Sequence, residues 1–228
     1  MRGSAWLPLL ATFIAAEFTL ALLRRLIARH RPHLLSWAIS LSFFTIGAGA
    51  LWYGTAFGWS DITFRLYYLG GALLNVPWLA LGQVQLLTSG RTARRWLLAT
   101  IGLSVFGAFV VGFAPLKSAV HGYELPSGHD LFDLLPRLLV GVSNGLGALI
   151  VIGGVALSAW RGRGGGAASR SRTAGVLLVA AGVLAAGAGG ALTFVGKSSA
   201  NALGVTVGVT VIYWGFVQAG QRVGRHRT

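Results

Sequence analysis

The chain has 228 residues, 54% hydrophobic and only 11% charged, which is more apolar surface than a soluble domain of this size can bury. With no cysteine, disulfides, thiolate catalysis and Cys-ligated zinc are excluded. The net charge of +14 would suit nucleic acid, but the arginines stand between apolar runs, where they set membrane topology, so no nucleic-acid partner is expected.

In chain order, seven stretches reach the roughly 20 apolar residues that a spanning helix needs. The first runs from Trp6 to Leu23, the second from Leu34 to Phe57 and the third from Leu66 to Leu87. The fourth covers Trp96 to Phe113, the fifth Arg137 to Trp160, the sixth Ala174 to Val195 and the seventh Leu203 to Gln218. Arg2 ahead of the first run resembles the start of a signal peptide. That run is long, however, ends at Arg24-Arg25 and lacks a cleavage site, so it is read as a retained span. The predicted fold is all-α: one polytopic membrane helix bundle of seven transmembrane helices over 1–228. Residues 161–172 (RGRGGGAASRSR) form a flexible loop and 220–228 a basic tail.

Charge alternates between the connections. One set holds Arg24, Arg25, Arg29 and Arg31, then Arg91, Arg94 and Arg95, then Arg161, Arg163, Arg170 and Arg172, then Arg222, Arg225 and Arg227, with no acid. The other set, with the N-terminal tail, holds Arg2, Arg65, Lys117, Arg137 and Lys197 beside Asp61, Glu124, Asp130 and Asp133. The excess of Arg marks the first set as cytoplasmic. The N-terminus is then outside and the C-terminus inside, in agreement with an odd number of spans. The 17 Arg against 2 Lys, with abundant Ala, Gly and Val, point to a GC-rich bacterial genome and an inner-membrane location. Trp6, Trp37, Trp59, Trp96 and Trp160 fall near span ends, where indole rings favour the membrane interface.

Glu17 is the one ionisable residue deep within a span. An acid there costs roughly 2.5–3.5 kcal/mol on insertion scales and should face other helices or water. It is a candidate proton site, cation ligand or ligand anchor, against the plainer reading of a hydrogen-bonded structural acid. In the third span Gly71, Asn75, Trp78, Gly82 and Gln85 recur at 4, 3, 4, 3 spacing and form one stripe. Pro77 should bend the helix and free the carbonyl of Leu73. Such a stripe lines a pocket or, more commonly, packs on another helix. Asn75, Trp78 and Gln85 join Glu17 as ligand-binding candidates, with a pocket expected between the first and third spans. GxxxG patterns at Gly141–Gly145 and Gly204–Gly208 fit helix packing within the chain, a homo-oligomer or a protein partner.

The connection between the fourth and fifth spans carries His121, Glu124, His129 and Asp130, residue types that bind zinc or similar metals. Their spacing matches no ligand pattern, and a solvated loop explains them more simply. Pro126-Ser127-Gly128-His129 matches the PSGH element of the lipid-phosphatase and haloperoxidase family. That family's other elements are missing: Leu178 stands where a nucleophilic His belongs. There is also no HExxH, no His within a span and no pair of intramembrane Asp. No catalytic residue and no cofactor is therefore expected.

The stretch from Arg65 to Leu79 (RLYYLGGALLNVPWL) resembles the third span of the seven-helix sensor region of bacterial histidine kinases. A charged residue, an aromatic pair, a Gly and a mid-helix Pro recur there at similar spacing. The resemblance implies a stand-alone sensing or binding module, since no kinase domain follows the seventh span. The expected function is a non-enzymatic multi-pass protein that binds or senses a small molecule or lipid and acts through a partner. The alternatives are a small transporter or channel subunit using Glu17, and an accessory protein working through helix contacts.

Overall fold

The computed structural model describes residues 6–161 together with residues 207, 208, 210 and 211. The predicted sixth span, most of the seventh, and nearly all of the 161–172 loop and the basic tail lie outside the described residues. The chain divides into two compact units, Met1–Ile150 and Val151–Thr228. Among the described residues every regular element is helical.

Helix α1 (Trp6–Arg29) ends at His30, whose φ of 43° is left-handed and whose N–H closes on the Leu26 carbonyl at 2.7 Å. Arg31 is extended, and Pro32 opens α2 (Pro32–Phe57) where a missing N–H costs nothing. The two-residue connection folds α1 back on α2, burying Ala11, Ala15, Phe18 and Leu22 of α1. Helix α2 stops at Gly58, whose φ of 105° suits glycine and turns the chain toward Trp59.

Ser60 caps the next helix by accepting from the Thr63 N–H at 3.3 Å. From there the chain stays helical without a break to Leu87, but in three sections. These are α3 (Asp61–Leu66), a π-helical section (Tyr67–Leu74) and α4 (Asn75–Leu87). Helix α5 (Gly90–Phe113) follows after two residues. A longer connection holding the single turn α6 (Gly128–Leu131) then leads to α7 (Leu134–Arg161).

Among the described residues four helices are long and apolar enough to cross a membrane: Trp6–Arg29, Pro32–Phe57, Gly90–Phe113 and Leu134–Leu157. The predicted third span corresponds to the sectioned helix. None of its parts reaches that length alone, although 27 helical residues at about 1.5 Å each give a rod of about 40 Å. The helix ends run past the predicted spans, to Arg29 in α1 and back to Gly90 in α5. Hydropathy marks the apolar portion, whereas the helix continues until something caps it.

In the first unit the connections sort the charges to two ends. The last turns of α1, the α1–α2 turn and the start of α5 hold Arg24, Arg25, Arg29, Arg31, Arg91, Arg94 and Arg95. The start of α3 and the connection before α7 hold Asp61, Lys117, Glu124, Asp130 and Asp133. At this second end the core cluster brings Trp59, Phe64, Tyr68 and Phe132 together, and it continues along the rod through Leu73, Trp78 and Leu81. Ring centroids are 5.4 Å apart for Phe64 and Phe132 and 4.8 Å for Tyr68 and Phe132. Arg65 donates to the Val111 and Ala114 carbonyls, which end α5, and its guanidinium lies 5.9 Å from the Phe132 ring centre. Of the five tryptophans expected at membrane interfaces, Trp6, Trp96 and Trp160 are exposed, whereas Trp59 is a core residue and Trp37 packs on Gly82.

Candidate functional site

Helix α2 and the sectioned helix run antiparallel and meet along a seam of small and polar residues. At one end the Ser36 hydroxyl donates to Gln85 Oε1 at 2.8 Å. One turn on, the Trp37 indole lies over Gly82 and donates to the Leu79 carbonyl at 3.2 Å. Ser40 donates to the Asn75 carbonyl at 2.7 Å. Farther along, Gly47 meets Gly70 and Gly71 backbone to backbone. A side chain on Gly47 would overlap the Gly71 main chain, so closeness here requires glycine.

The seam therefore uses four of the five predicted stripe positions: Gly71, Asn75, Gly82 and Gln85. Trp78 turns to α5 instead, donating to the Ser104 hydroxyl at 3.0 Å, and Ser104 in turn donates to the Thr100 carbonyl at 2.7 Å. Ser36 and Ser40 escaped the sequence reading, although their four-residue spacing on α2 is the signal that pairs them with the stripe.

The π section ends at this seam, beside Pro77. In α-helical counting Pro77 deprives Leu73 of its donor. In π counting, where an N–H reaches back five residues, the deprived carbonyl is that of Ala72. Asn144 of α7 donates its amide to the Ala72 carbonyl at 2.7 Å. The preceding carbonyl, Gly71, accepts from the Asn75 side chain at 3.2 Å. Two successive carbonyls are thus served by side-chain amides at the point where the helix changes pitch. Asn144 is packed there by its neighbour Gly147, which lies against Val76. Its other amide atom, Oδ1, is buried and has no hydrogen-bond partner among the described residues. An unpaired buried acceptor costs about 1–3 kcal/mol and calls for a donor.

Glu17 stands apart from this joint. It is exposed on α1, on a stripe with Leu10, Phe13 and Leu20, away from the buried face that meets α2. Helix α1 and the sectioned helix both pack on α2 and share no extensive contact. The expected pocket between the first and third spans, with Glu17 beside Asn75 and Gln85, is not assembled among the described residues. Gly141 and Gly145 meet nothing within 4 Å among the described residues, and most of the Gly204–Gly208 pattern lies outside them.

His121, Glu124, His129 and Asp130 are all exposed, and no three His, Asp or Glu side chains converge to hold a metal among the described residues. His129 Nδ1 pairs only with the adjacent Asp130 carboxylate, at 3.3 Å. The PSGH stretch is a packing turn: Ser127 Oγ accepts from the His129 N–H at 3.2 Å, and Gly128 lies on the Tyr68 ring.

Comparison with known protein families, with curated proteins and with solved structures finds no match.

Proposed function

We propose that this chain is a non-enzymatic, multi-pass protein of a bacterial inner membrane that binds a small molecule or lipid and passes the signal to a partner. Seven spans, with the N-terminus outside and the C-terminus in the cytoplasm, are part of that reading. Four helices suited to crossing a membrane among the described residues support it, as does the excess of arginines at one end of the first unit.

The observation that carries the binding role is the joint at Ala72, Asn75 and Asn144. π-Helical sections occur often at functional sites, because they interrupt the regular ladder. This one is held by side-chain amides and leaves the Asn144 oxygen without a donor. A ligand hydroxyl or amine could supply that donor, and a change of partner at Asn144 would alter the pitch of the rod. The resemblance to sensor spans of histidine kinases falls on the same residues, Arg65 to Leu79.

The test combines two measurements on protein in lipid nanodiscs and proteoliposomes. A sensing module gains thermal stability with its ligand, shows no flux, and loses the gain in Asn144→Leu. Proton- or cation-coupled flux that disappears in Glu17→Gln would instead make the protein a transporter and end this reading.

A further inference from the structure

Where α4 gives way to α5, at the arginine-rich end, a cleft of about 330 Å³ opens between three helices. Its walls include Pro32 of α2, Gln85 of α4, Thr88 and Ser89 of the connection, and Arg94 and Leu97 of α5. The volume is in the range of small-molecule sites. Pro32 and Leu97 make one part apolar, while Gln85, Ser89 and Arg94 supply polar groups.

The donors are available. Ser36 occupies the carbonyl end of the Gln85 amide, which leaves the NH₂ group to donate. Ser89 stands at the N-cap of α5, yet its hydroxyl makes no capping bond. Arg91, Arg94 and Arg95 form no ion pair among the described residues. Thr88 is already committed as a donor, to the Val84 carbonyl at 2.8 Å.

The electrostatics are unbalanced. A helix start carries partial positive charge and favours acids, yet the first turns of α5 hold three arginines. Arg31, next to the cleft wall at Pro32, adds a fourth charge. Between Glu17 and Asp61, and again between Asp61 and Glu124, the chain has no acid, so no carboxylate from these helices balances the cleft. An anion would relieve repulsion that the protein alone leaves standing.

We propose that this cleft binds a phosphate ester, gripped by Arg94, Ser89 and the Gln85 amide, with its carbon portion against Pro32 and Leu97. The phosphate belongs either to an anionic lipid headgroup or to a soluble ester. The lipid source rests on the membrane reading above; the soluble source does not.

The experiment uses the full chain in phosphatidylcholine nanodiscs. Phosphatidylglycerol is added to the discs in one arm, and glycerol phosphate or inorganic phosphate to the buffer in the other. Retained lipid is read by native mass spectrometry and stability by thermal unfolding. Arg94→Gln should weaken the response about tenfold, the size of a lost hydrogen bond to a charged group. Ala93→Phe, which fills the cleft at unchanged charge, should do the same, with helicity checked by circular dichroism. Arg24→Gln, exposed at the same basic end on α1, should leave the response intact. A response to phosphatidylglycerol alone assigns the headgroup, and a response to glycerol phosphate beyond that to inorganic phosphate assigns the soluble ester. No response in either arm, or equal losses in Arg94→Gln and Arg24→Gln, overturns the proposal, because diffuse charge would then explain everything. Neither failure touches the joint at Asn144, which is read by its own variant.

Discussion

Glycine acts here by position and not by abundance. Gly47 faces the Gly71 backbone with no room for a methyl group, and backbone cannot swing aside as a side-chain end can. Gly102 of α5 has nothing within 4 Å of an added Cβ among the described residues. Gly47→Ala should therefore destabilise the protein by about 1–3 kcal/mol through overpacking. Gly102→Ala should leave stability unchanged or raise it, since Ala favours a helix by about 1 kcal/mol over Gly. Thermal unfolding of both variants in detergent checks the contrast, and equal effects would show that the α2 seam is looser than its geometry. Nothing in composition separates the two residues; only the partner helix does.

At the scale of the element, the sectioned helix is the unusual part. Pro77 has no N–H to donate, the π section ends just before it, and Asn144 donates to the Ala72 carbonyl within that section. Pro77→Ala would restore a backbone donor and make the Asn144 amide partly redundant. In a double-mutant cycle, Asn144→Leu should cost less in the Pro77→Ala background than alone, with a coupling of about 0.5–1.5 kcal/mol. Equal costs in both backgrounds would separate the proline from the joint.

The helices themselves were legible from hydropathy, because Phe57, Leu87 and Phe113 end apolar runs and also end helices. The π section was not legible. It is contacted by Asn144, 72 residues away, and by the backbone of Gly47 at Gly70 and Gly71, neither of which leaves a period in the local sequence. The stripe was visible as a pattern, yet Trp78 showed no sign that it would turn to Ser104. The Asn of Gly141-Val-Ser-Asn-Gly145 was read only as part of a glycine spacing, although a polar amide within an apolar run was a signal in itself.

For the whole molecule, the two ends of the first unit differ in charge, and the proposed orientation can be tested directly. The natural chain has no cysteine, so any introduced thiol is unique. His121→Cys and Glu124→Cys are in the connection before α7, and Ser89→Cys is at the opposite end; all three positions are exposed. A membrane-impermeant thiol reagent applied to intact cells should label the first two and spare the third. The reverse pattern would turn the protein over in the bilayer, and with it the side from which the cleft at Arg94 is reached.

The joint has a mechanical corollary. Rods of unbroken α-helix transmit a push along their length and resist torsion, because every carbonyl is tied to the amide below it. At Gly71 and Ala72 the carbonyls also accept side-chain amides, one from Asn75 of the same rod and one from Asn144 of α7. Twisting α4 against the section above it would require exchange of two amide contacts, whereas the spiral on either side stays whole. Torsion applied to this rod would therefore be felt first at its change of pitch, midway between the aromatic rings around Phe132 and the recess at Arg94.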